Sequence, residues 1–202
     1  MSVVSNTVSK FHGAAVSIGM LPGTTCRPDC PCFDDCYARR GRFKFKNVTK
    51  SLAANTLEWK NNPEGFTNKI RKACAVNKYL RYFHAGDIPD VHFIDMMYRV
   101  AVEIPTTRFL CFTKKFEMVN EYIDEHGKPP KNLKIVLSTW GDDFMPDNPH
   151  NLPMAYIRLK NGKSTIPPYA KPCAHRCDEC IMNRAGGCWS LEDGEAVVFE
   201  QS

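Results

Sequence analysis

No run of this chain approaches the ~18 consecutive apolar residues that a membrane span needs, so no membrane partner is expected. The opening stretch, MSVVSNTVSKFHGAAVSIGM, is polar and lacks the basic, apolar and small-residue order of a secretory leader. A cytoplasmic protein is expected. No Gly/Ser-rich linker, low-complexity tract or internal repeat divides the 202 residues, and a chain of that length can bury one sizeable core. A single domain over 1–202 follows. No P-loop, GxGxxG or serine-hydrolase elbow occurs, which removes three common enzyme classes. Excess charge is also scant. Twenty-seven basic against 22 acidic residues leave +5, which permits contact with a nucleic acid or an anionic small molecule without demanding it.

What the chain has is cysteine. Of its ten, Cys26, Cys30, Cys32 and Cys36 crowd one short loop, and Cys173, Cys177, Cys180 and Cys188 crowd another within 170–190. Disulfides belong in oxidising compartments. Clustered cysteines in a cytosolic chain read as metal ligands or redox groups. Cys74 and Cys111 stand apart in apolar runs, where free cysteine behaves as a small buried hydrophobe.

The C-terminal set is spaced C-x3-C-x2-C-x7-C and followed by Trp189. Four thiolates close a tetrahedral zinc site or hold a four-iron cluster. Structural zinc usually draws C-x2-C pairs from separated knuckles; only one such pair is present, which favours iron–sulfur. His175 is an alternative ligand. The first set is spaced C-x3-C-x1-C-x3-C. The Cys30-Pro31-Cys32 step makes four ligands on one metal awkward, so three are expected, with Cys26 and Cys36 the firmest. Three thiolates would leave one iron open.

Around the cysteines the pattern is α/β. Strands are predicted over 14–20, 79–84, 108–113 and 133–139, with a late one at 196–199. Helices are predicted over 49–60, from Pro63 through 76, over 91–103, and over 116–126 with Gly127 as a C-terminal stop. The run LKIVLST is the near-continuous apolar type buried on both faces of a parallel sheet. Ligands bind beyond the carboxyl ends of such strands. That rim would gather the first cysteine loop, His84, Gly86-Asp87, Lys114-Lys115 and Asp142-Asp143 after Trp140. Lys114 and Lys115 are candidates for a carboxylate or phosphate, and the two aspartates for acid–base work. Arg39, Arg40, Arg42, Lys44, Lys46 and Lys50, interleaved with Phe43 and Phe45, could track a nucleic-acid backbone or form the solvated face of a helix.

The segments TTCRPDCPCFDDCYA, RYFHAGDIPD, FIDMMYRVAVEIPTTRFLCFTKK and CAHRCDECIMNRAGGCW, in that order over about residues 20–190, resemble the phage gene-product-88 family. That family in turn resembles radical S-adenosylmethionine (SAM) proteins. The resemblance implies a phage-type iron–sulfur protein acting in the host cytoplasm. It would have a partial (β/α) barrel, one or two 4Fe-4S clusters in cysteine-rich loops at the carboxyl rim, and redox or radical chemistry on an unnamed substrate. SAM would meet the backbone at Gly86, with Asp87, Lys114 and Lys115 on its charged groups. The radical-SAM spacing C-x3-C-x2-C stands at Cys173, Cys177 and Cys180 rather than after the first strand. The alternative from the residues alone is a zinc-stapled nucleic-acid- or protein-binding module.

Overall fold

The computed structural model describes residues 4–5, 11–183 and 186–201. Eight strands form one sheet: β1 (Val4–Ser5), β2 (Val16–Ile18), β3 (Tyr79–Tyr82), β4 (Arg108–Thr113), β5 (Leu133–Ser138), β6 (Met154–Arg158), β7 (Lys171–Pro172) and β8 (Ala196–Glu200). Five helices accompany it: α1 (Lys46–Asn61), α2 (Pro63–Cys74), α3 (Val91–Glu103), α4 (Phe116–His126) and α5 (Cys177–Asn183). The strands run β1-β2-β3-β4-β5-β6-β8-β7 across the sheet. Every pairing is parallel except β1 with β2. The α/β expectation holds, and the sheet is open.

Local chemistry accounts for the boundaries. The expected bounds of β4, α3 and α4 are the observed ones. The strand expected to reach His84 stops at Tyr82 because Phe83 turns to φ +58°, a left-handed conformation no strand can continue through. Pro63 opens α2, and the Asn62 side chain accepts from the Gly65 amide at 2.9 Å, satisfying one orphan donor of the first turn. Asp90 caps α3 by accepting from the Phe93 amide at 3.0 Å, and its other oxygen accepts from Trp59 Nε1 at 2.8 Å. One carboxylate thus starts a helix and fixes it against α1. Strand β6 was not foreseen; its MAYIR follows the proline- and asparagine-rich PDNPHNLP.

Strand alternation divides the core in two. Ile18, Leu80, Tyr82, Phe109, Ile135 and Leu137 face the helices and pack with Trp59, Phe66, Phe93 and Val119. Trp59 and Phe93 meet edge-on with centroids 4.7 Å apart. The opposite parity, with Leu110, Val136, Ala155 and Val197, faces Phe11, Trp189, Leu191 and the C-terminal cysteine segment. Helices therefore cover one face, and the C-terminal segment covers part of the other. Trp189 anchors that segment: its indole donates to the Leu80 carbonyl at 3.0 Å and lies edge-on to Phe11 and Tyr79. Arg108 to Ser190, at 2.7 Å, and Lys134 to Glu192, at 3.5 Å, tie it to the amino ends of β4 and β5. The carboxyl half of the inner face stays open.

Candidate functional site

That open half is a cavity of about 370 Å³. The loop after β2 brings Cys26, Cys30, Cys32 and Cys36 to it. The β3 loop brings Gly86 and Asp87, the β4 loop Lys114, and the β5 end Ser138 and Trp140. Of the polar residues expected at one rim, the first cysteine loop, Gly86-Asp87 and Lys114 line this cavity, whereas His84, Lys115 and Asp142-Asp143 do not.

The loop after β2 is held by specific bonds. The Met20 amide donates to the Ala85 carbonyl at 2.8 Å, and Thr25 Oγ1 accepts from the Asp87 amide at 3.0 Å. Gly86 makes this approach feasible. Its φ is +76°, and a Cβ there would sit 2.8 Å from Met20 Cβ and Thr25 Oγ1, inside normal contact. Arg27 pairs with Asp29 at 2.7 Å and Glu117 at 2.6 Å, and lies over the Phe116 and Phe144 rings. His84 is likewise structural: its ring bonds Ser17 Oγ at 2.8 Å, and its carbonyl accepts from the Tyr37 hydroxyl at 2.8 Å.

Asp87 is buried and fully engaged. Its Oδ1 accepts from Thr113 Oγ1 at 2.6 Å and the Ile88 amide at 2.8 Å; its Oδ2 accepts from the Lys114 amide at 2.9 Å. It positions the β4 loop. Burial raises its pKa against these bonds. The neighbouring lysines part company. Lys114 lines the cavity and donates to Ser138 Oγ at 3.1 Å, whereas Lys115 is not among the lining residues and occupies the N-cap position of α4 without a side-chain capping bond. Asp142 closes its own loop by accepting from the Thr165 amide and hydroxyl at 2.6 and 2.8 Å; Asp143 is exposed outside the cavity.

All ten cysteines are free thiols. Burial pushes the Cys26 and Cys36 thiols up. Cys30 and Cys32 have sulfurs 2.8 Å apart. That is longer than the ~2.05 Å of a disulfide and shorter than the roughly 3.8 Å between two ligands on a tetrahedral ion with ~2.3 Å bonds. Their contact lowers the Cys30 thiol, which the Lys114 charge lowers further, and raises that of Cys32. Only one of the two can serve a metal without the other shifting. In the C-terminal set, burial and then the charges of Cys173, Cys177 and Cys180 push Cys188 up to about 12. Gly187, at φ +56°, lies so close that a Cβ would be 2.8 Å from Cys180 Cβ. His175 of this segment reaches the cavity.

The donor chemistry of both sets suits a thiophilic centre. Among the described residues, no three His, Cys, Asp or Glu side chains are grouped to hold one metal ion. The first set is arranged about a cavity rather than closed on a point.

The basic segment is surface. Arg40 pairs with Asp35 at 2.6 Å, and Arg39 lies over Phe33 at 4.1 Å. Arg42, Lys44, Lys46 and Lys50 are exposed, and so is Phe45, whereas Phe43 packs inward with Leu52 and Ala85. Sequence reasoning missed Arg81, Phe112, Ile157 and Phe199, all of which line the cavity. The alternation in YLRY would have found Arg81, because placing Leu80 and Tyr82 in the core sends the residue between them to the other face.

Among the described residues no helix is long and apolar enough to cross a membrane. The sequence model of the family described as gene product 88 matches residues 5–183, and the chain belongs to that family. No curated protein and no solved structure matches it.

Proposed function

We propose that the cavity is an iron–sulfur site. Cys26, Cys36 and one of Cys30 and Cys32 would hold a 4Fe-4S cluster with one side open to the cavity. Cys173, Cys177, Cys180 and Cys188 would hold a second thiophilic centre. The observation that carries this reading is the gathering of four unpaired thiols on one cavity at the carboxyl ends of parallel strands. Strand order that follows chain order from β1 to β6 is also what a radical-SAM-like partial barrel requires, so that architecture and a cosubstrate such as SAM belong to the proposal. Such a cluster supplies single-electron transfer to a bound ligand.

The chain's own residues have plain tasks in this scheme. Lys114 places a cation beside the first thiols and favours their ionised, ligating form. Asp87 holds the Lys114 loop in place. Phe112, Trp140 and Phe199 give the cavity apolar walls.

The test is anaerobic purification followed by iron, sulfide and zinc analysis and a visible spectrum. Brown protein with iron and sulfide is expected, with Cys36→Ala losing one centre and Cys177→Ala the other. Colourless, iron-free protein carrying zinc would overturn it. That result would favour a zinc-stapled nucleic-acid-binding module, the reading that the exposed Arg42, Lys44, Lys46 and Lys50 beside exposed Phe45 supports.

A further inference from the structure

We infer that Arg81 anchors an anion site inside the same cavity, and that the cavity takes a small organic anion whose carboxylate or phosphate pairs with the Arg81 guanidinium. The inference goes beyond the iron–sulfur reading and does not depend on it.

Arg81 lies on β3 opposite Ser17 of β2 and Leu110 of β4, on the face that the helices do not cover. Its Nε is shut off from solvent and has no hydrogen-bond partner. No carboxylate pairs with it among the described residues; the three acids of the cavity lining are engaged elsewhere, Asp87 with Thr113 and the Ile88 and Lys114 amides, Asp35 with Arg40, and Glu200 with Arg158. A guanidinium does not give up its proton in a protein, and a sequestered N–H of a cation left without an acceptor costs free energy. The fold nonetheless holds it in place: its guanidinium carbon lies over the Phe112 ring at 4.9 Å. A half-buried cation with one unbonded N–H, supported on an aromatic face and lining an open cavity, is an arrangement that receives a planar oxyanion.

The rest of the lining fits that ligand. Lys114 supplies a second cation and Ser138 a hydroxyl, while Phe83, Trp140, Ile157 and Phe199 offer apolar walls for an organic body. The volume falls in the range of small-molecule sites. The rival account is that Arg81 merely balances the thiolates, since its charge bears on both Cys188 and Tyr37, one from each cysteine-rich segment. The two accounts separate by what each loses when Arg81 is changed.

The probe is 4-fluorobenzoate, followed by ¹⁹F NMR titration of the anaerobically purified full chain, with the neutral 4-fluorobenzyl alcohol as its control. The wild type should bind the acid saturably and at least tenfold more tightly than the alcohol. Arg81→Met should lose that preference with metal content unchanged, and Arg81→Lys, which keeps the charge without the planar fork, should retain part of it. Competition by inorganic phosphate would point to a phosphate ligand; its failure would point to a carboxylate. No preference for the acid in the wild type, or a full preference in folded Arg81→Met, overturns the inference. So does a loss in Arg81→Met that only tracks lost metal. Metal-free protein that still prefers the acid would overturn the iron–sulfur reading and leave the anion site standing.

Discussion

Asp87 separates a positioning role from a ligand-binding one. Changing it to Asn leaves one oxygen, which can keep the Thr113 hydroxyl and Ile88 amide as donors. The new amide nitrogen then faces the Lys114 N–H across what was a 2.9 Å bond. One hydrogen bond to a charged acceptor, roughly 1.5–3 kcal/mol, is lost, and a buried donor is left unsatisfied at about 1–3 kcal/mol more. The neutral amide escapes the cost of burying a carboxylate, so the net loss should be about 2–4 kcal/mol. At about 2–4 °C per kcal/mol for a chain of this size, melting should fall clearly. Urea unfolding followed by circular dichroism should show a lower midpoint at unchanged slope. The pH dependence carries a sign. Burial raises the Asp87 pKa, so the folded state holds its proton where the unfolded carboxyl, near ~3.9, has lost it. The wild type is thus penalised as pH rises through that range, and its advantage over Asp87→Asn should widen as pH falls through it. If Asp87→Asn unfolds within about 0.5 kcal/mol of the wild type yet abolishes ligand binding, Asp87 meets the ligand and the positioning argument fails.

Trp189 should report on the docking of the C-terminal segment. Trp189→Ala is expected to cost about 3–5 kcal/mol and lower the metal content of the second cysteine set; Trp189→Phe, which loses mainly the bond to Leu80, should cost about 1 kcal/mol. A Trp189→Ala protein as stable as the wild type in urea would mean that the segment is not anchored there. The buried thiols predict alkaline sensitivity in the metal-free protein, because burial pushes Cys74 and Cys188 up to about 12. The folded state keeps these protons while unfolded thiols ionise from about pH 8.5, so the urea midpoint should fall between about pH 8.5 and 12, less so in Cys74→Ala. A flat profile would refute it.

The fold was most legible where one local rule sufficed. The segment VHFIDMMYRVAVE carries its apolar residues at helical spacing behind the Asp90 cap, and RFLCFT and LKIVLS are short, predominantly apolar runs; their observed bounds follow from that. β1 and β7 span two residues each, too short to carry any period. β6 is held between β5 and β8, and that pairing is settled by residues distant in sequence. The burial of Cys74 and Cys111, at 4% and 0% exposure, follows from their apolar neighbours.

The site was legible at the level of loops and illegible at the level of side chains. Strand ends can be read from composition, and once strands are parallel their following loops must share a rim, so the cysteine loop, Gly86-Asp87 and Lys114 could be grouped before any coordinates. Which way each side chain turns is decided later. Lys114 and Lys115 are adjacent and chemically identical, yet the turn into α4, with Lys115 at its N-cap position, leaves only Lys114 lining the cavity. Asp87 has the composition of a ligand contact, but three nearby donors claim it first. Arg81 shows the converse. In YLRY it reads as a polar residue on a half-exposed strand, because nothing local says that the face opposite the helices is also covered. The C-terminal segment, more than ninety residues further along, covers part of that face over Trp189 and leaves a half-buried arginine whose Nε has no acceptor.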